Sequence, residues 1–253
     1  MAGRLLLVPT PLDFGVDAGG APADLRDTLP LGVIREAARL RRWVAENAKT
    51  ARAFLKRVDA VERLACPLQE IEIVELPRPA KGRAGPAPDV AALLAPALAG
   101  ADLGLVSEAG LPAVADPGAA LVQAAHARGI EVVALPGASA LVLALAASGL
   151  NGQSFAFVGY LPTDAQQRAA RIRELEVASR RGGQTQLFIE TPYRNAALLA
   201  ALVDHLAPTT RLSVTCAVTL PGAFTRTAAI AQWRVQPAAL PADRPAVFAL
   251  LAD

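Results

Sequence analysis

The chain has 253 residues and a net charge of +2; 53% of its residues are hydrophobic, 19% charged and 4% aromatic. That length allows one to two domains, and the apolar fraction supports a sizeable core and excludes a disordered tail. The near-neutral balance falls short of the strongly basic charge expected of a dedicated nucleic-acid binder.

Arg4 to Val8 reads as a first strand, stopped by Pro9-Thr10-Pro11. Its apolar run is too short for the core of a signal peptide. A Gly- and Asp-rich loop follows, and the residue pattern predicts helix from about Leu31 to Leu64. Ile71 to Leu76 is strand-like, and Pro77 to Pro88 is a Pro/Gly-rich connection. After a further helix come a strand at Leu103 to Ser107, a helix at Ala119 to Arg128 and a strand at Glu131 to Leu135. Strands alternating with helices of this length predict parallel pairing through right-handed crossovers. The apolar stretch Val132 to Ala147 is interrupted by Pro136, Gly137 and Ser139, so it does not read as a membrane span.

Beyond Pro136 the pattern changes. A small-residue helix at Ser139 to Ser148 leads to a strand at Phe155 to Tyr160 and a polar helix from about Thr163 to Arg181. Leu187 to Glu190 is a strand, and Pro192 to Leu206 a helix with proline in its first turn. Three β-like runs close the chain: Leu212 to Val218, Phe224 to Ile230 and Ala246 to Leu251. With little helix between them, they predict an antiparallel or mixed sheet. The expected fold class is therefore α/β in two domains. Residues 1–136 form a mostly parallel α/β/α sheet, and residues 137–253 a mixed-sheet α/β domain.

The chemistry is expected where strands end. Ser107-Glu108-Ala109-Gly110-Leu111-Pro112-Ala113-Val114-Ala115-Asp116-Pro117-Gly118 follows one strand and opens a helix, the usual ligand crevice of open α/β sheets. Its small residues let backbone approach a ligand closely. Asp116 is placed to cap the helix, with Pro117 as its first residue. Leu135-Pro136-Gly137-Ala138-Ser139-Ala140 makes a second such junction, with Ser139 a possible cap, and Val8-Pro9-Thr10-Pro11 a third. Three loops after three parallel strands converge on one sheet edge, which suggests a small-molecule site built mainly from backbone.

Neither GxGxxG nor GxxxxGK[ST] is present. The absence of GxSxG makes Ser139 a poor nucleophile. His126 and His205 stand alone, and no His/Asp/Glu cluster supports a metal site. Cys66 and Cys216 lack CxxC partners, so a reducing cytoplasm is expected. From Arg35 to Arg57 eight basic residues face only Glu36 and Glu46, a net +6 within 23 residues. That run reads either as a solvated helix face or as a phosphate-facing patch.

These strings together resemble one family. Ser107 to Gly118, the Leu-Pro-Gly-Ala-Ser loop, Ser148-Gly149-Leu150 and Phe155 to Pro162 are similar to the tetrapyrrole methylase superfamily. Within it they resemble the branch containing the 16S ribosomal RNA cytidine 2'-O-ribose methyltransferases. The resemblance implies S-adenosylmethionine held in a cleft between two α/β domains, methyl transfer, and a homodimer. By motif, it implies cofactor contacts at Pro9, at Ala109, Gly110, Leu111 and Val114, at Ser139 and Ala140, and more loosely at Glu190 and Gly222. Glu46-Asn47-Ala48-Lys49 stands where the ribosomal RNA enzymes have Glu-Asp-Thr-Arg. Thr10-Pro11-Leu12-Asp13-Phe14 and Ala217-Val218-Thr219-Leu220-Pro221 also depart from that branch.

A hydroxyl acceptor must lose its proton during attack, and Glu46 is the candidate general base. A ribose target would employ Arg35, Arg39, Arg42, Lys49 and Arg52 on RNA phosphates. Methylation of a small molecule such as a tetrapyrrole, or cofactor binding without catalysis, are the alternatives. No metal and no membrane association are expected.

Overall fold

The structure, a computed structural model, describes residues 2–13, 24–77 and 90–253. Most of the Gly- and Asp-rich loop after the first strand, and the Pro77–Pro88 connection beyond Pro77, lie outside the described residues. The chain divides into two compact units, Met1–Ser139 and Ala140–Asp253.

In the first unit, in chain order, are β1 (Leu5–Leu7), α1 (Leu31–Arg39), β2 (Arg42–Ala45), α2 (Ala48–Val61), β3 (Glu72–Glu75), α3 (Ala95–Leu98), β4 (Leu103–Val106), α4 (Ala119–Ala127) and β5 (Val132–Ala134). The strands order as β3-β2-β4-β1-β5, every pair parallel. Strands covered on both faces need apolar residues at successive positions, and Leu5 and Leu6 of β1 and all of β4 are buried. Side chains alternate between the two faces. Leu6, Val8, Trp43 and Ala45 pack with Val33, Ile34, Ala37 and Ala38 of α1 and with Phe54, Leu55 and Val58 of α2. Leu5, Val44, Leu103 and Leu105 pack on the other face with Ala97 of α3 and with Leu121 and Ala125 of α4.

The single long helix expected from Leu31 to Leu64 is two helices separated by β2. Leu40 is extended (φ −78°, ψ 133°) and ends α1. The indole of Trp43, buried one residue into β2, donates to the Leu40 carbonyl at 3.3 Å. Tertiary burial of Trp43-Val44-Ala45 overrides local propensity here, because no Gly or Pro marks either end of the strand.

The second unit contains α5 (Ala140–Ser148), β6 (Phe155–Tyr160), α6 (Ala165–Gly182), β7 (Thr185–Glu190), α7 (Asn195–His205), β8 (Arg211–Cys216), β9 (Phe224–Ala229), α8 (Ile230–Val235) and β10 (Ala246–Leu251). Its sheet is mixed, in the order β6-β7-β10-β8-β9: β6 and β7 are parallel, and the other neighbours antiparallel. Phe188 and Phe248 stack at 5.9 Å beneath α6 and α7, while Leu187, Val247, Ala249 and Leu251 face α5. Helix α8 is not among the elements expected from the sequence. It is anchored by Trp233, which donates to the Leu212 carbonyl at 3.0 Å and lies 4.1 Å beneath the Arg226 guanidinium. Among the described residues no helix is long and apolar enough to cross a membrane.

Candidate functional site

All strands of the first sheet are parallel, so all their carboxyl ends share one edge. The connection leaving β1 runs to β2 and the one leaving β4 runs to β5, in opposite senses from adjacent strands. Adjacent strands whose connections diverge open a crevice between their carboxyl ends. Here the two loops are tied by a backbone bridge: Thr10 N–H donates to Gly110 O at 2.9 Å, and Gly110 N–H to Thr10 O at 3.1 Å. The third loop packs on the first. A Cβ built on Gly137 would stand 2.3 Å from Pro9 Cγ and 2.4 Å from its Cβ. Pro9, Gly110 and Gly137 are thus held together as the sequence leads one to expect.

The loop after β4 stores unusual backbone geometry. Gly110 (φ 78°), Ala113 (φ 65°), Ala115 (φ 65°) and Gly118 (φ 136°) are all left-handed or near it. For alanine that conformation costs about 1–2 kcal/mol per residue and persists only where surroundings impose it, which is common at ligand sites. Ala109, Leu111 and Val114 lie in the same loop. Asp116 does not cap α4: the helix begins at Ala119 behind Gly118, with no side-chain cap. Ser139 ends the first unit and Ala140 starts α5.

Glu46 follows β2, beside the loop after β4. Its Oε2 accepts from Glu108 N–H at 3.2 Å, and Glu108 Oε1 in turn accepts from Asn47 Nδ2 at 3.1 Å. Asn47 Oδ1 accepts from Lys49 N–H at 2.9 Å, so the residue that departs from the acidic motif serves as N-cap of α2. Asp116 completes an acidic group. Burial, and then the negative charges of Glu46 and Glu108, push its carboxyl from the ordinary 3.8 up to about 7, against a lowering influence from Ser107. The sequence suggested only a capping role for Asp116, because these neighbours come from other strands.

This titration has a consequence for stability. Between about pH 4 and 7 the folded chain keeps a proton on Asp116 that the unfolded chain releases, so raising the pH through this window weakens folding. Asp116→Asn is therefore expected to raise the unfolding temperature at pH 8 and leave it unchanged at pH 4. Thermal unfolding followed by circular dichroism at both pH values checks this, and an equal shift at both would contradict it.

The basic run is divided by β2. Arg42 begins β2 and pairs with Glu72 at 3.2 Å, and Arg39 at the end of α1 pairs with Asp102 at 2.7 Å, both at the amino-end edge of the sheet. Arg35 pairs with Glu62 at 3.6 Å. Lys49 and Arg52, in the first turns of α2, stand at the carboxyl-end edge with the loops. The expected single patch of Arg35, Arg39, Arg42, Lys49 and Arg52 is corrected on this point: β2 carries the chain from one edge of the sheet to the other between its two halves.

In the second unit, Glu190 ends β7 and Gly222 (φ 78°) lies in the turn between β8 and β9. Register places both at one sheet edge, since Ala246 pairs with Glu190 and with Cys216, and Cys216 with Phe224. The buried Glu190 carboxylate accepts from Thr191 N–H at 2.8 Å and Thr191 Oγ1 at 3.2 Å, and pairs with Arg194 at 3.0 Å. Its side chain therefore stabilises the β7–α7 turn. Among the described residues no group of three His, Cys, Asp or Glu side chains is placed to hold a metal ion.

Comparison with known proteins gives a concordant picture. Residues 31–232 match the family model described as Tetrapyrrole (Corrin/Porphyrin) Methylases. A ribosomal RNA small subunit methyltransferase I from Mesorhizobium japonicum is 42% identical over 125 residues, covering 49% of this chain and 40% of that protein. Its namesake from Pseudomonas aeruginosa is 43% identical over 105 residues, covering 42% and 35%. These matches span two-fifths or less of the relatives' own lengths. Among solved structures, uroporphyrin-III-C-methyltransferase from Thermus thermophilus aligns with TM-score 0.52 at 21% identity, over 99% of this chain and 93% of that one. The methyltransferase CobJ aligns with TM-score 0.56 at 17% identity, over the whole of both chains. At these identities the structural likeness concerns the fold alone.

Proposed function

Because the chain belongs to the tetrapyrrole (corrin/porphyrin) methylase family, we propose that it is an S-adenosylmethionine-dependent methyltransferase acting on a ribose 2'-hydroxyl of ribosomal RNA. The observation that carries this reading is the lock among the Pro9, Gly110 and Gly137 loops at the diverging strands. The small-subunit RNA methyltransferases at 42–43% identity support the choice of substrate.

The loops suit such a cofactor, because small side chains and left-handed backbone leave main-chain groups open to close approach. When bound, S-adenosylmethionine supplies a methyl group made electrophilic by its sulfonium. The chain's task is then positioning and proton removal. We assign cofactor contacts to Pro9, Ala109, Gly110, Leu111 and Val114, and retain Ser139, Ala140, Glu190 and Gly222 as further candidates. Glu46, through its bond to Glu108 N–H, holds the loop that these contacts require.

Calorimetry with S-adenosylhomocysteine tests the cofactor assignment. Saturable binding is expected, and no binding at about 1 mM ligand would remove it. RNA affinity should fall steeply with salt, by roughly 0.7 in log–log slope for each single-strand phosphate neutralised. Lys49→Gln with Arg52→Gln should weaken RNA binding by about 10-fold or more and flatten that slope. Arg39→Gln with Arg42→Gln should change it by less than about twofold, because those side chains serve internal ion pairs at the opposite edge. Filter binding across a salt series reads both, and equal losses for the two pairs would contradict the division.

We also propose that the protein is a cytoplasmic homodimer. Helix α5 (ALVLALAAS) is apolar all round, yet Val142 is 57% exposed. An apolar surface of this kind favours burial against a second copy. Light scattering should give twice the chain mass, and a monomer at micromolar concentration would contradict the assignment.

A further inference from the structure

The Ser107 hydroxyl is an anomaly at the carboxyl-end edge of the first sheet. The residue is 5% exposed, and its Oγ makes no hydrogen bond of regular geometry with any described residue. A buried hydroxyl left unpaired is costly, so folded chains seldom leave one without a reason. Ser107 lines a pocket of about 340 Å³ together with Thr10, Pro11, Asn47, Lys49 and Phe54. That volume is in the range of small-ligand sites, and the buried Phe54 ring gives it an apolar wall beside polar groups. Asp116 is near enough to Ser107 for the hydroxyl to favour its ionised form. Ala115, immediately before Asp116, is left-handed.

Resting on the methyltransferase reading above, we infer that Ser107 and Asp116 form a proton relay for the acceptor hydroxyl, which enters through this pocket. The acceptor oxygen forms its bond to the methyl carbon as the carbon–sulfur bond breaks, the bonding pair leaving with sulfur. The acceptor's proton moves to Ser107 Oγ, and the Ser107 proton moves to the Asp116 carboxylate. The sulfonium charge and the carboxylate charge are both lost, and Ser107 ends the step as the hydroxyl it was. Relay bonds are often long or misaligned before substrate binds, and they tighten in the complex, which accounts for the unpaired Ser107 hydroxyl.

The surroundings suit the role. Glu46, after β2, and Glu108, in the loop after β4, face Asp116 with like charge and strengthen its hold on a proton. Lys49, Asp13 and Arg57 surround the pocket, the last two paired at 2.8 Å. An acceptor titrating near 7 takes a proton readily and returns it to solvent at neutral pH. Glu46 is less suited to this role, since its Oε2 already holds Glu108 N–H.

Two measurements test the relay. Carbon-detected NMR of the ligand-free chain should show Asp116 titrating near 7, and Ser107→Ala should move that midpoint upward. A midpoint near the ordinary carboxylate value, or one indifferent to Ser107→Ala, would overturn the relay whatever the activity. In methyl transfer to small ribosomal subunits, Asp116→Asn should lower kcat by about 100-fold and erase the limb near pH 7, leaving KM and S-adenosylhomocysteine affinity unchanged. Ser107→Ala should match it, and Ser107→Thr should restore much of the rate. A kcat for Asp116→Asn within twofold of the parent would overturn the relay alone. No transfer by the parent chain would overturn the functional reading and the relay together.

Discussion

Gly110→Val is expected to reduce affinity for S-adenosylhomocysteine by at least about 100-fold, equivalent to about 2.7 kcal/mol. Gly110 holds φ 78°, where a β-branched side chain is a genuine outlier. Its Cβ would press on Leu12 Cδ2 at 3.2 Å and touch the Ala138 carbonyl at 3.6 Å, so crowding adds to the backbone strain. Gly110 also contributes both halves of the bridge to Thr10. Relieving the strain therefore means parting the loops after β1 and β4, which displaces the backbone assigned to the cofactor. Calorimetry reads the affinity, and thermal unfolding separates its loss from general destabilisation. Retained affinity would show that the loop does not hold the cofactor.

Gly137→Ala is expected to destabilise the first unit by about 2–3 kcal/mol, the upper range for overpacking. The new Cβ would lie 2.3–2.4 Å from the Pro9 ring, far inside contact distance. Proline cannot rotate its ring away, since it is closed on its own backbone. One loop must shift bodily, and Thr10, next to Pro9, carries the shift to Gly110. Urea unfolding followed by Trp43 fluorescence in a Trp233→Phe background isolates this unit. Cofactor affinity should fall with stability, and a change below about 0.5 kcal/mol would mean that the Pro9–Gly137 contact is dispensable.

Much of the architecture was legible in the chain itself because its signals are local. The runs that became β1, β4 and β5 are short, apolar and closed by Pro9, Ser107-Glu108 and Pro136, and the helices between them imply parallel pairing. The three loops at one edge follow from that topology alone. The mixed sheet was legible from runs such as Arg211–Cys216 and Phe224–Ala229, which follow each other without an intervening helix. Where the reading failed, the cause was long-range. Leu40 to Ala45 contains no breaker, and only burial of Trp43 against the sheet makes it a strand. Once β2 is recognised, Arg39 and Arg42 move to the edge opposite Lys49 and Arg52, which no local pattern reveals.

The candidate site shows the same division. Gly110 and Gly137 announce close approach by residue type, and the Ser107–Gly118 string marks a strand-to-helix loop. The proton affinity of Asp116 depends instead on Glu46, 70 positions earlier, which a different strand delivers to it. Ser107 is marked in the sequence only as the start of that string; that its hydroxyl is buried beside Asp116 with no hydrogen bond of regular geometry follows from the fold. Glu190 illustrates the reverse, a residue singled out by position whose carboxylate is engaged within its own turn.

The central claim is methyl transfer to ribosomal RNA, and one assay meets it directly. Small ribosomal subunits lacking the modification are incubated with the chain and S-adenosylmethionine labelled in its methyl group, and the RNA is digested to nucleosides. The account predicts label on a ribose 2'-oxygen of small-subunit RNA. A chain that binds S-adenosylhomocysteine but leaves the RNA unlabelled, and labels a tetrapyrrole instead, would contradict it.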